Sequence, residues 1–241
     1  MALDGRQILL IDTPGFDDDD RSDVQILEDI ATWLAKRGYL KGSHQLDGLI
    51  LLHPVTMHRL GGNERRRTRL LQNLLGQNAY KRIIIATTMW ERITDEKDVE
   101  MGLKGREKDI WYDLVSKGAK IRKHNNNPDS AHKIIREIVK LSEKHGKLEP
   151  LIQTELAKDP RLVKTTAGKS MKRDLEADIA RAKTMLMEHI ATKPQEPGKA
   201  GKYRHPKKWK EHKEWVEEKR EIETRLARLE ARLDKLDKVS C

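Results

Sequence analysis

The 241-residue chain has little cysteine, few aromatic side chains and no long apolar run. Its single cysteine is the last residue, Cys241, so the sequence excludes an internal disulfide and a cysteine-rich metal site. Aromatic residues make up 4%, with one Phe. No apolar run is longer than the four residues of 49–52, which is far shorter than the ~20 residues of a membrane span. No secretory signal precedes the first apolar run. We therefore expect a cytoplasmic protein without a membrane span.

Charge is abundant and unevenly distributed. Charged and hydrophobic residues each make up 37%, and the formal net charge is +10. Residues 199–210 contain six basic residues and no acidic one, whereas Asp12 and residues 17–20 form a negative cluster. A basic excess can indicate a nucleic-acid partner. Charged, solvated helices explain it more often, so nucleic-acid binding through residues 199–210 ranks last among the functions considered.

Three apolar runs have the composition of buried strands: residues 6–11 (RQILLI), 46–55 (LDGLILLHPV) and 82–88 (RIIIATT). Segments with helical apolar spacing alternate with these runs, at residues 22–36, 63–75, 97–115 and 128–141. Ser22 is the expected N-cap of the first helix. A short edge strand is expected at residues 119–124. Buried strands alternating with amphipathic helices predict an α/β fold with a mostly parallel sheet and flanking helices. Ligands of such sheets bind at the carboxyl ends of the strands.

After residue 145 the pattern becomes helical. Residues 148–156 and 169–190 have helical spacing without a deep core face, and residues 193–208 form a basic linker rich in Pro and Gly. A heptad-like seam then predicts a coiled-coil-like helix over residues 209–238, with Trp215, Ile222, Leu226, Leu229, Leu233 and Leu236 on it. This helix could form an antiparallel hairpin with residues 169–190 or pair in a dimer. The expected organisation is 1–145, 146–192, 193–208 and 209–238.

The tetrapeptide Asp12-Thr13-Pro14-Gly15 follows the first apolar run directly. A carboxylate at the end of a strand can hold Mg²⁺, usually through water, because Mg²⁺ prefers oxygen ligands. Glycine lets its backbone N–H approach a terminal phosphate without a Cβ in the way. The alternative is an Asx-Pro-Gly turn that only ends a strand.

A second motif follows the third apolar run, Thr87-Thr88-Met89-Trp90-Glu91. GTPases place an Asn/Thr-Lys-x-Asp signature at this strand end, and its carboxylate accepts hydrogen bonds from guanine. Laid on that signature, Thr88 takes the Asn/Thr position, Met89 the Lys position and Glu91 the Asp position. Base recognition therefore has the right residue types at two positions, with Met replacing the lysine.

The order IDTPGFDD, LHPVTMHRLGG, IIIATTMWER and LVKTTAGKSMKRDLE resembles the fungal G-domain proteins, P-loop GTPase-like proteins related to the septin and immune-associated GTPase families. The resemblance covers residues 5–188. It implies that residues 1–145 are a truncated GTPase-like domain binding GTP and Mg²⁺, with Asp12 as the switch II magnesium residue and Gly15 at the γ-phosphate. Asp12, Thr13, Pro14, Gly15, Thr88 and Glu91 are the implied nucleotide contacts.

The phosphate-binding loop of such proteins is missing. A G-x-x-x-x-G-K-[ST] loop and a switch I threonine would precede Asp12, but only eleven residues do so. Gly168-Lys169-Ser170 is a poor substitute, because Val163 stands where the first glycine should be. We expect it to be the start of a polar helix. The missing first strand would lie between the strands ending at Ile11 and Val55.

Other candidate residues have simpler interpretations. His53 and His58 flank the exit of the second strand and are expected to be loop histidines, since no further ligand at suitable spacing completes a metal site. Residues 65–67, three arginines, are expected to be a solvated helix face. Trp90 and Trp111 are expected to pack in the core or at its rim.

Two functions therefore remain open. The first is a GTP-binding, GTPase-family protein whose phosphate-binding segment is not in this chain. The second is a degenerate pseudo-GTPase whose sheet is a scaffold and whose C-terminal helices engage a protein partner or a second copy. The residues assign no catalytic group.

Overall fold

A small antiparallel hairpin lies at residues 2–7 of the computed structural model, which describes residues 1–16, 21–36, 46–56, 61–194 and 206–241. Strand β1 (Ala2–Leu3) pairs with β2 (Arg6–Gln7). Asp4 and Gly5 join them with φ of 50° and 75°, as a two-residue hairpin turn requires.

The predicted strand over residues 6–11 is therefore wrong beyond Gln7. The hairpin provides the hydrogen-bond partners of residues 6–8, and the Ile8 amide donates to the Met1 carbonyl at 2.8 Å. Residues 9–11 pair with no strand among the described residues. Leu9, Leu10 and Ile11 are consequently 77%, 57% and 40% exposed.

A three-stranded parallel sheet forms the centre of the α/β unit, in the order β3 (Leu49–Pro54), β4 (Ile83–Thr88), β5 (Lys120–Lys123). Leu49 pairs with Ile83, and Ile84 pairs with Lys120. The predicted strands over residues 46–55, 82–88 and 119–124 are confirmed with shorter bounds. Within the described ranges, no strand pairs with the outer edge of β3.

Helices surround this sheet and continue beyond it: α1 (Asp23–Lys36), α2 (Gly62–Leu75), α3 (Glu96–Lys108), α4 (Tyr112–Ser116), α5 (Pro128–His145), α6 (Leu151–Leu156), α7 (Thr166–Ala191) and α8 (Pro206–Lys238). The Gln25 amide donates to Ser22 Oγ at 3.3 Å, which confirms the predicted N-cap. The single helix predicted over residues 97–115 is broken. Asp109 leaves helical geometry with ψ of −89°, and this turn inserts Trp111 into the core.

Strand β4 separates two apolar layers because its side chains alternate between the faces of the sheet. Ile83 and Ile85 belong to the larger core. Ile84 and Ala86 face the smaller layer under α5. The described elements thus cover both faces of the central strand, as a parallel sheet requires.

Helices α7 and α8 form an antiparallel hairpin, one of the two arrangements left open by the sequence. Lys172 pairs with Asp237 at 2.7 Å, and Lys183 pairs with Glu230 at 3.0 Å. The continuous helix predicted over residues 209–238 is confirmed as α8. The expectation that residues 169–190 lack a deep core face is wrong, because α7 buries Ala167, Met171, Leu175, Ile179 and Ala182.

The hairpin shares its core with the α/β unit at one end. Leu229 and Leu236 of α8 join the same apolar cluster as Leu70 and Leu74 of α2. Most of the predicted linker, residues 195–205, lies outside the described residues, and the proposed domain boundaries stay predictions. None of the helices in the described part of the chain combines the length and hydropathy that a membrane crossing needs.

Candidate functional site

The carboxyl edge of the sheet is organised around the end of β4. The Val55 amide donates to the Thr88 carbonyl at 2.9 Å, and the His124 amide donates to the Thr87 carbonyl at 2.8 Å. Thr87 is buried, and its hydroxyl donates to the Arg122 carbonyl at 3.2 Å. Backbone bonds therefore hold the three strand ends together, and Thr88 stands partly exposed in the middle.

The chain turns sharply after Thr88. Met89 has φ of 64°, in the left-handed region that few non-glycine residues adopt. Its sulfur accepts a weak hydrogen bond from the Thr56 hydroxyl at 3.8 Å, which ties the turn to the end of β3. A 3₁₀ turn over Trp90–Arg92 follows and leaves Glu91 exposed.

Trp90 supports this turn. Its indole N–H lies 3.1 Å from both the carbonyl and the hydroxyl oxygen of Thr87. The Lys123 ammonium lies 4.1 Å from the ring centroid, so the ring is covered by a cation. The expectation that Trp90 and Trp111 serve packing is confirmed, since Trp111 is buried in the core.

Thr88 and Glu91 thus share the carboxyl edge, but the second implied group of contacts does not join them. Asp12, Thr13 and Gly15 are exposed, while Pro14 is half-buried. The described hydrogen bonds and ion pairs include none that involves Asp12 and none that links this segment to Thr88 or Glu91. A Cβ at Gly15 would meet nothing within 4 Å, so no close contact requires glycine there.

In the described part of the chain, the residues implied to contact magnesium and phosphate do not form a binding site for either group. No cluster of three His, Cys, Asp or Glu side chains that could hold a metal ion occurs among the described residues. Asp12 offers a single carboxylate, and no ion pair within the described residues joins a basic side chain to it. The edge formed by Thr88 and Glu91 can accept hydrogen bonds from a ligand, and we assign no phosphate chemistry to it.

A buried polar cluster at the same end of β3 was not anticipated. Arg106 Nε donates to Glu64 Oε1 at 2.9 Å, and the side chains are only 3% and 11% exposed. His53 Nδ1 lies 3.7 Å from the same oxygen, too far for a hydrogen bond. The His53 ring meets the Trp111 ring edge-on at 4.9 Å between centroids. The expectation that His53 is a loop histidine is wrong, and His58 lies outside the described residues.

The cluster keeps His53 neutral. Burial, followed by the positive charge of Arg106, lowers the pKa of His53 to about 4. His53 Nε2 and Glu64 Oε2 are buried and have no hydrogen-bond partner in the described part of the chain. The sequence contains one signal for this cluster, because Glu64 is the only acidic residue in the basic helix over residues 63–75.

The arginines of α2 bind carboxylates of the same chain. Arg66 donates to Asp178 at 2.7 Å, and Arg69 donates to Asp174 at 2.7 Å, so both reach α7. Arg65 contacts Asp109 with two hydrogen bonds. The expected solvated face is confirmed for Arg65, which is exposed, and is wrong for Arg66 and Arg67, which are partly buried. The side chains of Arg65 and Arg66 fasten α2 to neighbouring elements.

Gly168 has a packing role. Thr165 caps α7 by accepting a hydrogen bond from the Gly168 amide at 3.0 Å. A Cβ on Gly168 would lie 2.0 Å from the Leu162 carbonyl oxygen, so only glycine allows this approach. Residues 168–170 begin a helix as expected, but Gly168 and Ser170 are buried.

Comparisons of the chain with protein-family models, curated proteins and solved structures found no match. The resemblance to G-domain proteins therefore stays a prediction from the sequence segments that carry it.

Proposed function

We propose that this chain acts as a pseudo-GTPase, a degenerate G-domain-like scaffold whose α7–α8 hairpin engages a protein partner, namely a second copy of the chain. The observation that carries this proposal is the exposure of large apolar side chains on the hairpin. The isolated, exposed Asp12 segment supports it, because a hydrolase would need a phosphate site that these residues do not supply. The cytosol remains the proposed compartment.

The end of the hairpin remote from the sheet carries the exposed apolar residues. Five side chains there are between 43% and 70% exposed: Met185, Met187, Ile190, Trp209 and Val216. Trp209 and Val216 are seven residues apart on α8, which places them on one helix face two turns apart. Trp and Met are enriched in protein interfaces, so this composition favours a protein contact.

At the same end of the hairpin, a histidine of α7 and a tryptophan of α8 join the two helices. The rings of His189 and Trp215 stack with centroids 5.1 Å apart. The Trp215 indole N–H donates to the His189 carbonyl at 2.9 Å, and His189 Nε2 lies 2.9 Å from the Trp215 carbonyl. Because these contacts join the two helices, a partner would meet a surface that is already formed.

We expect the wild-type chain to dimerise with rising concentration, and Trp209→Ser/Val216→Ser to stay monomeric, because the variant removes apolar area from the contact. Sedimentation velocity across a concentration series measures both. Leu9→Ser/Leu10→Ser is the control, since it removes exposed apolar residues that do not belong to the hairpin. A monomeric wild type, or equal behaviour of the two variants, would contradict pairing through the hairpin.

GTP binding is the second candidate function. It is favoured by the position of Thr88 and Glu91 at the carboxyl edge of the central strand, where ligands of parallel sheets bind. The proposed contacts are Asp12 with magnesium, the Gly15 amide at phosphate, and Thr88 and Glu91 at the base. Asp12, Thr13, Pro14 and Gly15 would need an added phosphate-binding segment to form a site.

Calorimetric titration with GTP and magnesium distinguishes the two functions. We expect the 241-residue chain to bind GTP no more tightly than about 1 mM, because burying triphosphate charge without cationic partners is costly. Joining a strand, P-loop and helix ahead of Met1 should restore magnesium-dependent binding, and Asp12→Ala should then weaken it. Micromolar, magnesium-dependent affinity of the chain itself would establish GTP binding and contradict a degenerate nucleotide site.

A further inference from the structure

A basic groove lies at the opposite end of the sheet from Thr88. Its volume is about 610 Å³, and six cationic side chains line it: Lys81, Lys120, Lys133, Arg136, Lys140 and Lys144. Lys120 begins β5 and Lys81 precedes β4, so both stand at the amino edge of the sheet. The other four come from α5. We call this feature the α5 groove.

The α5 side of the groove is a straight row of cations. Lys133, Arg136, Lys140 and Lys144 follow at intervals of three, four and four residues, which keeps them on one helix face. At 1.5 Å per residue, the row is about 16 Å long. This linear row of positive charges therefore matches a ligand with regularly spaced negative charges better than a ligand with one negative charge.

Most of these charges are not compensated within the chain. In the described residues, Lys81, Lys133, Lys140 and Lys144 form no ion pair, whereas Arg136 pairs with Asp4 at 2.7 Å. The groove contains one carboxylate, Glu137, which already binds Lys120 at 2.9 Å and Arg122 at 2.6 Å. The positive potential is thus available to an external ligand.

The lysines of the α5 groove are also not needed to cap the C-terminal end of α5. Arg82 Nε donates to the Gly146 carbonyl at 2.5 Å, and another Arg82 nitrogen donates to the His145 carbonyl, so arginine caps this helix end. Partial desolvation, then the cations Lys144, Lys81, Arg82 and Lys120, lower the pKa of His145. Gly118 has φ of 114°, and a Cβ there would lie 2.9 Å from Lys81 Cγ, so glycine lets Lys81 line the groove.

The residues that line the α5 groove favour one class of anionic partner over others. The lining contains no Phe, Tyr or Trp, which disfavours both a protein interface, where aromatics are enriched and Lys is depleted, and stacking of single-stranded bases. It is concave and has no exposed apolar anchor, which disfavours a membrane surface. Flexible lysines that act as point charges suit phosphate oxygens without reading bases.

We propose that the α5 groove binds the phosphate backbone of a nucleic-acid duplex without sequence preference. A duplex carries one charge per about 1.7 Å of its axis with both strands counted, so a row of about 16 Å runs alongside about nine phosphate charges. The site is separate from the carboxyl edge and does not depend on GTP binding or on pairing through the hairpin.

Fluorescence anisotropy with a labelled DNA duplex of mixed sequence tests this proposal. Four unpaired lysines predict a slope of about −3.6 in log affinity against log salt, or about 100-fold weaker binding at 200 mM than at 50 mM salt. Lys133→Gln/Lys140→Gln/Lys144→Gln should weaken binding by about tenfold or more and reduce the slope to about −1. Thermal unfolding by circular dichroism confirms that the variant is folded.

Two matched variants keep the net charge equal to that of the α5 variant. Lys104→Gln/Lys108→Gln/Lys158→Gln removes three exposed lysines elsewhere, and Lys199→Gln/Lys202→Gln/Lys208→Gln changes the basic segment. Both should retain most of the affinity. The proposal is overturned if either matched variant weakens duplex binding as much as the α5 variant does. It is also overturned if the α5 variant loses binding to phosphatidylcholine–phosphatidylserine vesicles while its affinity for the duplex is unchanged.

Discussion

Replacing Arg106 with Met is expected to lower the free energy of unfolding by about 3–5 kcal/mol at neutral pH. Arg106 and Glu64 are joined by a 2.9 Å hydrogen bond and are almost completely buried. Methionine occupies similar space without charge, so Glu64 would keep a buried negative charge beside a neutral His53. Urea unfolding followed by circular dichroism measures the loss.

The double variant Arg106→Met/Glu64→Met separates this penalty from lost packing. Because the double variant removes both charges of this pair, neither charge stays buried without the other. Replacing a buried ion pair by apolar residues is often neutral or stabilising. Most of the loss should therefore be recovered. The control is Arg65→Met, whose ion pair with Asp109 is exposed, so its loss should lower the free energy of unfolding far less. Equal losses from the two single arginine variants would contradict the prediction.

The apolar pattern predicted much of the α/β unit because it reports burial directly. Residues 83–86 are apolar and are covered on both faces in β4, and the Pro and Gly residues around α2 and β3 stop those elements where expected. The segment over residues 6–11 has an equally apolar composition. A strand also needs a neighbour for its backbone hydrogen bonds, and composition cannot show whether that neighbour is present.

The candidate site was predictable only where it is local in sequence. Thr88 and Glu91 lie within four consecutive residues after a recognisable strand, so their common position follows from the motif. The buried cluster brings His53 of β3 together with Glu64 of α2 and Arg106 of α3. No short-range spacing encodes such contacts. The same holds for Arg66, whose carboxylate partner Asp178 is 112 residues away.

His53 is expected to make the protein less stable in acid, by about 3 kcal/mol between pH 7 and pH 4. Burial, and then the charge of Arg106, lowers the pKa of His53 from 6.5 to about 4 in the folded chain. Below pH 6.5 the unfolded chain therefore binds a proton that the folded chain does not. This contribution is fully present above pH 6.5 and is lost as the pH falls through the interval to about 4.

The difference between wild type and His53→Gln isolates this contribution, since other titrating groups are common to both proteins. We expect the free energy of unfolding of the wild type to fall more steeply from pH 6.5 to pH 4, as measured by urea unfolding at a series of pH values. His132→Gln, at a partly exposed histidine of α5, should instead follow the wild-type curve closely. Parallel curves for wild type and His53→Gln would show that His53 titrates equally in the folded and unfolded chains, and that the cluster with Glu64 and Arg106 does not exclude its proton.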